Sequence, residues 1–386
     1  MSLRKRNSRI ALCLAALALV WLPACAAPSD GQQGRAEADG GRGSGQTEED
    51  ASVVDDMGVR DMVGQMFVVS MGGTEPDYYV EKMVRERNIG GVILFGHNMR
   101  SEGQVRDLTA SLQRLSMRTE PAVPLFVAVD QEGGDIASAP WVTPQPAAAE
   151  IGGRGDPAEA RAAAEETGEE LLRAGVNTDF APVVDTGFGA AIGNRSYGED
   201  PGLVSRMGAA AVEGFEGAGI ASAAKHFPNH GAAVADSHRD LPVVDHDMET
   251  LRSHDLPPFR AAAEAGVPMV MVGHLLYPAV DAERPASLSP KWMGMLREEI
   301  GFDGVAVTDD LAMAGASGGG PPEKAAVEAV KAGADLLIVS SPPQQQADAY
   351  DAVVAAVESG EIGEERVRDS VRRLVEVKET YGFARG

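Results

Sequence analysis

Cysteine is almost missing from this sequence: among 386 residues there are two, Cys13 and Cys25. Neither lies beyond position 25, so no disulfide can brace the remainder, and its stability has to come from core packing. Aromatic residues are few, at 5%, and positive charge is scarce, with 34 Lys and Arg against 58 Asp and Glu for a formal net charge of −24. So acidic a chain repels phosphate backbones, which argues against nucleic acid and polyanions as partners. Long apolar runs are missing too: the stretch 10–22 falls short of the ~20 residues a spanning helix requires. What is present is an ordinary apolar fraction, 44%, enough for one large core or two medium ones.

The first residues read as a leader. Arg4, Lys5, Arg6 and Arg9 form a basic region ahead of the apolar stretch 10–22, the pattern of a secretory signal peptide. The stretch ends Leu22, Pro23, Ala24, Cys25, which resembles the bacterial lipobox, where the cysteine becomes the lipidated first residue of the mature chain. Cleavage near Ala26 or Ala27 without lipidation is the alternative. The expectation is a signal peptide over 1–24, lipid attachment at Cys25, and an extracytoplasmic protein anchored to the cell membrane. Residues 26–51 are Gly, Ser, Gln, Asp and Glu with little apolar content, and are expected to tether the lipid to a folded domain over 52–386.

From Val53 onward, short β-branched apolar runs alternate with longer amphipathic stretches. Eight such runs occur, at 66–70, 91–95, 125–129, 178–182, 221–225, 269–272, 304–308 and 336–339. Helices are predicted between them over 76–87, 101–117, 157–174, 201–218, 248–265 and 322–332, with closing helices over 345–359 and 362–381. Regular alternation implies a parallel sheet, and eight repeats predict an α/β fold, a single (β/α)8 TIM-like barrel. A doubly wound open sheet shares this periodicity, but no glycine-rich phosphate fingerprint follows the first run.

A barrel gathers its chemistry at the carboxyl ends of its strands. The third run is followed by Asp130, Gln131, Glu132, Gly133 and Gly134; the fourth leads to Asn194, Arg195 and Ser196. The fifth ends in Lys225 and His226, followed by His230, Asp236, Ser237 and His238; the seventh precedes Asp309 and Asp310. Singly, each is commonly a turn or helix-cap residue. Together they put carboxylates, imidazoles and cations on one face.

The strings VDQEGG, IGNRSYGEDP, KHFPNHG with ADSH, and GFDGVAVTDDLAM resemble glycoside hydrolase family 3, in its β-N-acetylhexosaminidase branch. The resemblance runs from about Met62 to Phe383, and KHFP followed by a D-S-H loop is its most specific part. It implies a nucleophile at Asp309, an acid/base at His238 with Asp236 as its partner, and terminal-sugar contacts from Asp130, Arg195, Lys225 and His226. It implies no cofactor and no metal. The implied substrate is a saccharide ending in N-acetylglucosamine, such as a peptidoglycan fragment. His274, after the sixth run, is assigned equally to the pocket or to the core.

These residue types suit the reaction. Glycoside cleavage passes through an oxocarbenium-like state that needs a carboxylate at the anomeric carbon and a proton donor at the leaving oxygen. An imidazole titrates near working pH without a large shift, and a carboxylate can hold its tautomer. Gly231 and the alanines of the histidine loop suggest that the loop moves.

The sequence also departs from the family. Asp135, Ile136, Ala137 and Ser138 stand where an arginine and a second basic residue commonly follow EGG, and Asn229 and Val234 replace the commonest Gly and Thr. Three other readings stay open at this level. One is a metal hydrolase using His226, His230, Asp236 and His238; one is a phosphorylase, since an imidazole repels phosphate less than a carboxylate does. The third is a saccharide-binding surface lipoprotein without turnover.

Overall fold

The structure, a computed structural model, describes residues 53–383. The expected signal peptide, Cys25 and the tether lie outside the described residues. Eight strands run in parallel: β1 (Phe67–Ser70), β2 (Gly91–Ile93), β3 (Phe126–Val129), β4 (Thr178–Asp179), β5 (Ala221–Phe227), β6 (Met269–Val272), β7 (Val305–Thr308) and β8 (Leu337–Val339). Each pairs with its sequence neighbour, β8 pairs with β1, and a parallel bridge from Val307 to Leu336 closes the ring between β7 and β8. This is a (β/α)8 barrel. Apart from the partly exposed Ser70 that ends β1, the strand residues are buried, because helices cover the outside and side chains fill the inside. A parallel strand therefore reads as a near-continuous apolar run rather than an alternating one.

Local chemistry sets where helices begin. Asp156 and Asp200 cap helices Pro157–Arg173 and Pro201–Ala218, their carboxylates accepting from Ala158 N at 3.0 Å and Leu203 N at 2.8 Å. The proline that follows each cap lacks the N–H that a first turn leaves unpaired. The single helix expected over 248–265 is broken into a short turn Met248–Thr250, a π-helical turn Leu251–Asp255 and a helix Pro257–Glu264. Pro257 and Pro258 supply no N–H donors, so a continuous ladder cannot run through them. The break faces Asp255 inward, where it is fully buried.

Two further features position the site. After β3 the chain forms a small antiparallel hairpin, Gln131–Gly133 with Ile136–Ala137. Its turn needs Gly133 and Gly134, at φ of 87° and 56°, where a Cβ would also meet Pro146 O at 2.9 Å and Ala147 Cβ at 2.8 Å. At the end of β5 an aromatic wall forms: Phe227 packs edge-on against Phe259 and Trp292 at 5.3 and 5.6 Å, and Tyr277 against Trp292 at 5.3 Å. Each buried ring contributes roughly 1.5–3 kcal/mol of apolar burial. This wall backs the loop that follows β5. Among the described residues no helix is long and apolar enough to cross a membrane.

Candidate active site

The carboxyl ends of the strands open on a cavity of about 400 Å³. Of the residues singled out from sequence, Asp130, Arg195, Lys225, His226, His238 and Asp309 all line it. Asp236 stands behind His238. His274 does not line the cavity: it is fully buried, its Nδ1 against Ser287 Oγ at 2.7 Å and its Nε2 donating to Asp310 O at 3.0 Å. It buttresses the turn after β7.

Three ion pairs hold one side of the cavity. Lys225 Nζ donates to Asp130 Oδ1 at 2.5 Å and lies 2.7 Å from Glu132 Oε1. Arg195 meets both oxygens of Glu132 at 2.7 Å, and its Nη1 donates to Ala191 O at 2.9 Å. Burial alone would raise the Glu132 carboxyl, but the Lys225 ammonium and the Arg195 guanidinium outweigh it and hold it at about 2. Burial opposes the charge on Lys225 as well, and Asp130 and Glu132 overcome it, so its pKa rises. The cluster is charged and internally paired. Asp130 keeps part of its surface open to the cavity, where it can accept from a sugar hydroxyl.

A bulge in β5 sets Lys225 and His226 side by side, since the register with β6 slips between Lys225 and Phe227. His226 Nδ1 contacts Asp185 Oδ2 at 2.7 Å, and Arg195 Nη2 stands 3.4 Å from its Nε2. Burial, then the Arg195 charge, push this ring well below the ordinary histidine range, so it is neutral. Burial pushes Asp185 up to about 6, against the lowering influence of the neighbouring His230 and of the backbone N–H groups of His230 and His226. The sequence reading named Glu132 after the third run but gave it no role, and it missed Asp185, which follows the fourth run.

Asp309 follows β7 and is held ionised. Burial would raise its carboxyl; His226, His274, the Asp310 N–H at 2.8 Å and Lys225 outweigh burial and hold it at about 2. Asp310 also lines the cavity, but its carboxylate is occupied by Ser340, through both N–H and hydroxyl, and by Ala312 N. Asp309 is thus the carboxylate of the pair that is free to face a substrate.

His238 sits at the mouth with its side chain 64% exposed. Its Nδ1 contacts Asp236 Oδ1 at 2.7 Å and its backbone N–H donates to the same oxygen at 3.0 Å. The His238 N–H lowers the Asp236 carboxyl, which stays ionised. With Nδ1 committed, Nε2 is the atom that can give or take a proton. His230 Nε2 meets Ser237 Oγ at 2.7 Å, so it and His226 are each engaged by a different group. Among the described residues no three His, Cys, Asp or Glu are grouped to hold a metal ion.

The profile of the glycosyl hydrolase family 3 N-terminal domain matches residues 58–377. β-Hexosaminidase A of Pseudoalteromonas piscicida is 36% identical over 327 residues, which cover 78% of this chain and 54% of that protein. The chain therefore spans about half the length of that relative. β-Hexosaminidase of Stenotrophomonas maltophilia (strain R551-3) is 37% identical over 287 residues, 72% of this chain and 84% of its own length. A glycoside hydrolase family 3 β-N-acetylglucosaminidase from Paenibacillus sp. str. FPU-7 superposes with a TM-score of 0.84 at 41% identity, covering 86% of this chain and 64% of that one. By the length of the profile match and by these relatives, the chain belongs to glycosyl hydrolase family 3, through the N-terminal domain of that family.

Proposed function

We propose that this protein is a retaining exo-β-N-acetylglucosaminidase that hydrolyses terminal β-linked N-acetylglucosamine. The observation that carries this is an ionised, unencumbered carboxylate, Asp309, in the same cavity as an imidazole whose Nδ1 is fixed by Asp236. Asp309 attacks the anomeric carbon while His238 Nε2–H protonates the departing glycosidic oxygen, giving a glycosyl ester and a free alcohol. Neutral His238 then takes a proton from water, whose oxygen displaces Asp309 and leaves the sugar with its original anomeric configuration. Asp236 stabilises the imidazolium in the first step and orients the ring in the second. Asp130, Lys225, Arg195 and His226 bind the terminal sugar.

The substrate is a GlcNAc-terminated saccharide of the kind found outside the cytoplasmic membrane, such as a peptidoglycan fragment. The lipobox supports an anchored, extracytoplasmic protein, and loss of membrane association in Cys25→Ser checks that part. For the chemistry, a 5-fluoro derivative of the sugar should trap a covalent adduct on Asp309, read by peptide mass. Asp309→Ala should remain folded and lose about 10³-fold or more in kcat on a nitrophenyl β-N-acetylglucosaminide. A label on another side chain, or release of sugar 1-phosphate when phosphate is supplied, would refute the assignment.

A further inference from the structure

The loop carrying Asp236 and His238 begins at Asn229, which is fully buried and uses every hydrogen-bonding position of its amide. Oδ1 accepts from Thr186 N at 3.0 Å and Gly231 N at 2.9 Å. Nδ2 donates to Thr186 O at 3.1 Å and to Asp255 Oδ1 at 2.7 Å. The Asn229 carbonyl accepts from Tyr277 OH at 2.6 Å. Asp255, at the end of the π-helical turn, also accepts from His254 Nδ1 at 2.9 Å and His246 Nδ1 at 2.8 Å, so its two oxygens share three donors. A glycine at position 229 could make none of the side-chain contacts.

The same loop is fastened along its length. Gly189 N donates to Gly231 O at 2.8 Å and Ala190 N to Ala233 O at 3.0 Å. A Cβ on Gly231 would sit 2.4 Å from Thr186 O, and one on Gly189 2.6 Å from Ala233 O, so these two backbones approach as closely as glycine allows. At the far end, His230 Nε2 meets Ser237 Oγ, and Gly315 N donates to Ser237 O at 3.0 Å. The partner segment, 186–195, ends in Arg195. Neither Asn229 nor Asp255 lines the cavity.

We propose that Asn229 is a positioning residue for the proton donor. By tying the start of the His238 loop to Thr186 and, through Asp255, to the 251–255 turn, it makes that loop and the Arg195 segment one body. The mobility suggested by Gly231 and the alanines is thereby confined to the tip around Val234, which is 88% exposed. Proton transfer needs hydrogen-bond reach to the leaving oxygen, and a displacement of about 1 Å can cost about 10²-fold in rate. The inference rests on the glycosidase reading above and names what holds its acid in place.

The test compares leaving groups. Full-length wild type, Asn229→Gly and Asp255→Asn are assayed on 2,4-dinitrophenyl β-N-acetylglucosaminide, whose phenolate departs unprotonated, and on diacetylchitobiose, whose leaving oxygen needs a proton. Asn229→Gly is expected to lose about 30-fold in kcat/KM on the disaccharide and under about threefold on the dinitrophenyl glycoside. Asp255→Asn keeps the Thr186 contacts and should show the same contrast at smaller amplitude. Equal losses on the two substrates, or none, overturn the proposal, since a purely structural role has no leaving-group dependence. If Asn229→Gly unfolds at assay temperature, the same contrast or its absence in Asp255→Asn alone supports or overturns the proposal. A wild type that cleaves neither compound overturns the functional reading itself, and this inference with it.

Discussion

Glu132 is the residue on which the two cations of the cavity converge. Its carboxylate, 5% exposed, faces Lys225 on one side and both Arg195 nitrogens on the other. Removing that charge breaks the ion pair to Arg195 and leaves Lys225 paired with Asp130, and breaking a buried pair costs about 3–5 kcal/mol. Glu132→Gln is therefore expected to lower the urea midpoint at neutral pH and to raise KM, because Arg195 and Lys225 lose their common support. The pH dependence has a definite sign. The folded carboxyl titrates at about 2, below its ordinary 4.5, so its stabilisation is complete above 4.5 and is lost as the pH falls through about 2. The gap between wild type and Glu132→Gln should narrow between neutral pH and about pH 3. A gap that stays constant would mean that the carboxylate charge is not what stabilises the fold here.

At the scale of elements, the site depends on two loops meeting backbone to backbone. Gly231→Ala puts a methyl group 2.4 Å from Thr186 O, a distance no real contact allows, and the obstacle is main chain that cannot rotate away. The loops must separate, and amide exchange at Gly189 and Ala190 should accelerate while the barrel strands stay protected. Unchanged protection would show that the chain absorbs the methyl group elsewhere. Element identity was largely legible: all eight expected strands are present, and helix 201–218 falls at its expected bounds. The helix expected over 248–265 was wrong in continuity. Its apolar spacing is helical, but Pro257 and Pro258 interrupt the hydrogen-bond ladder regardless of periodicity. The hairpin at 131–137 was also missed, since its strands are too short to show an alternating pattern.

The barrel carries its chemistry at the carboxyl ends of its strands, while the opposite end holds a buried lysine. Lys378, in the last helix, is 2% exposed; its Nζ donates to Gln65 Oε1 at 2.8 Å and lies 4.7 Å from the centre of the Phe126 ring. Gln65 precedes β1 and Phe126 opens β3, so this site lies at the amino ends of the strands. Burial lowers the ammonium from 10.5 to about 7. The unfolded chain thus binds more protons than the folded one between those values, and stability from this group rises with pH across that window. Below about 7 the full penalty of a buried charge is present. Lys378→Met should raise the melting temperature most at pH 6 and least near pH 10, without altering kcat. Stabilisation independent of pH would mean that packing, not the charge, is responsible.

The amino-acid order by itself determined a parallel α/β sheet and the convergence of its chemistry. Eight apolar runs alternating with helical stretches bury both faces as a parallel sheet, closed or doubly wound, and residues following such runs gather at one end whatever the side-chain detail; that the ring closes, through β8 on β1, is decided by the packing. Tertiary structure alone decided the pairings. Arg195 finds Glu132 across 63 residues and Lys225 finds Asp130 across 95, while Asp185 joins His226 and Asp255 joins Asn229. Those partnerships depend on how loops from different strands approach within a few tenths of an ångström, a property of the packed whole that no local pattern of residues encodes.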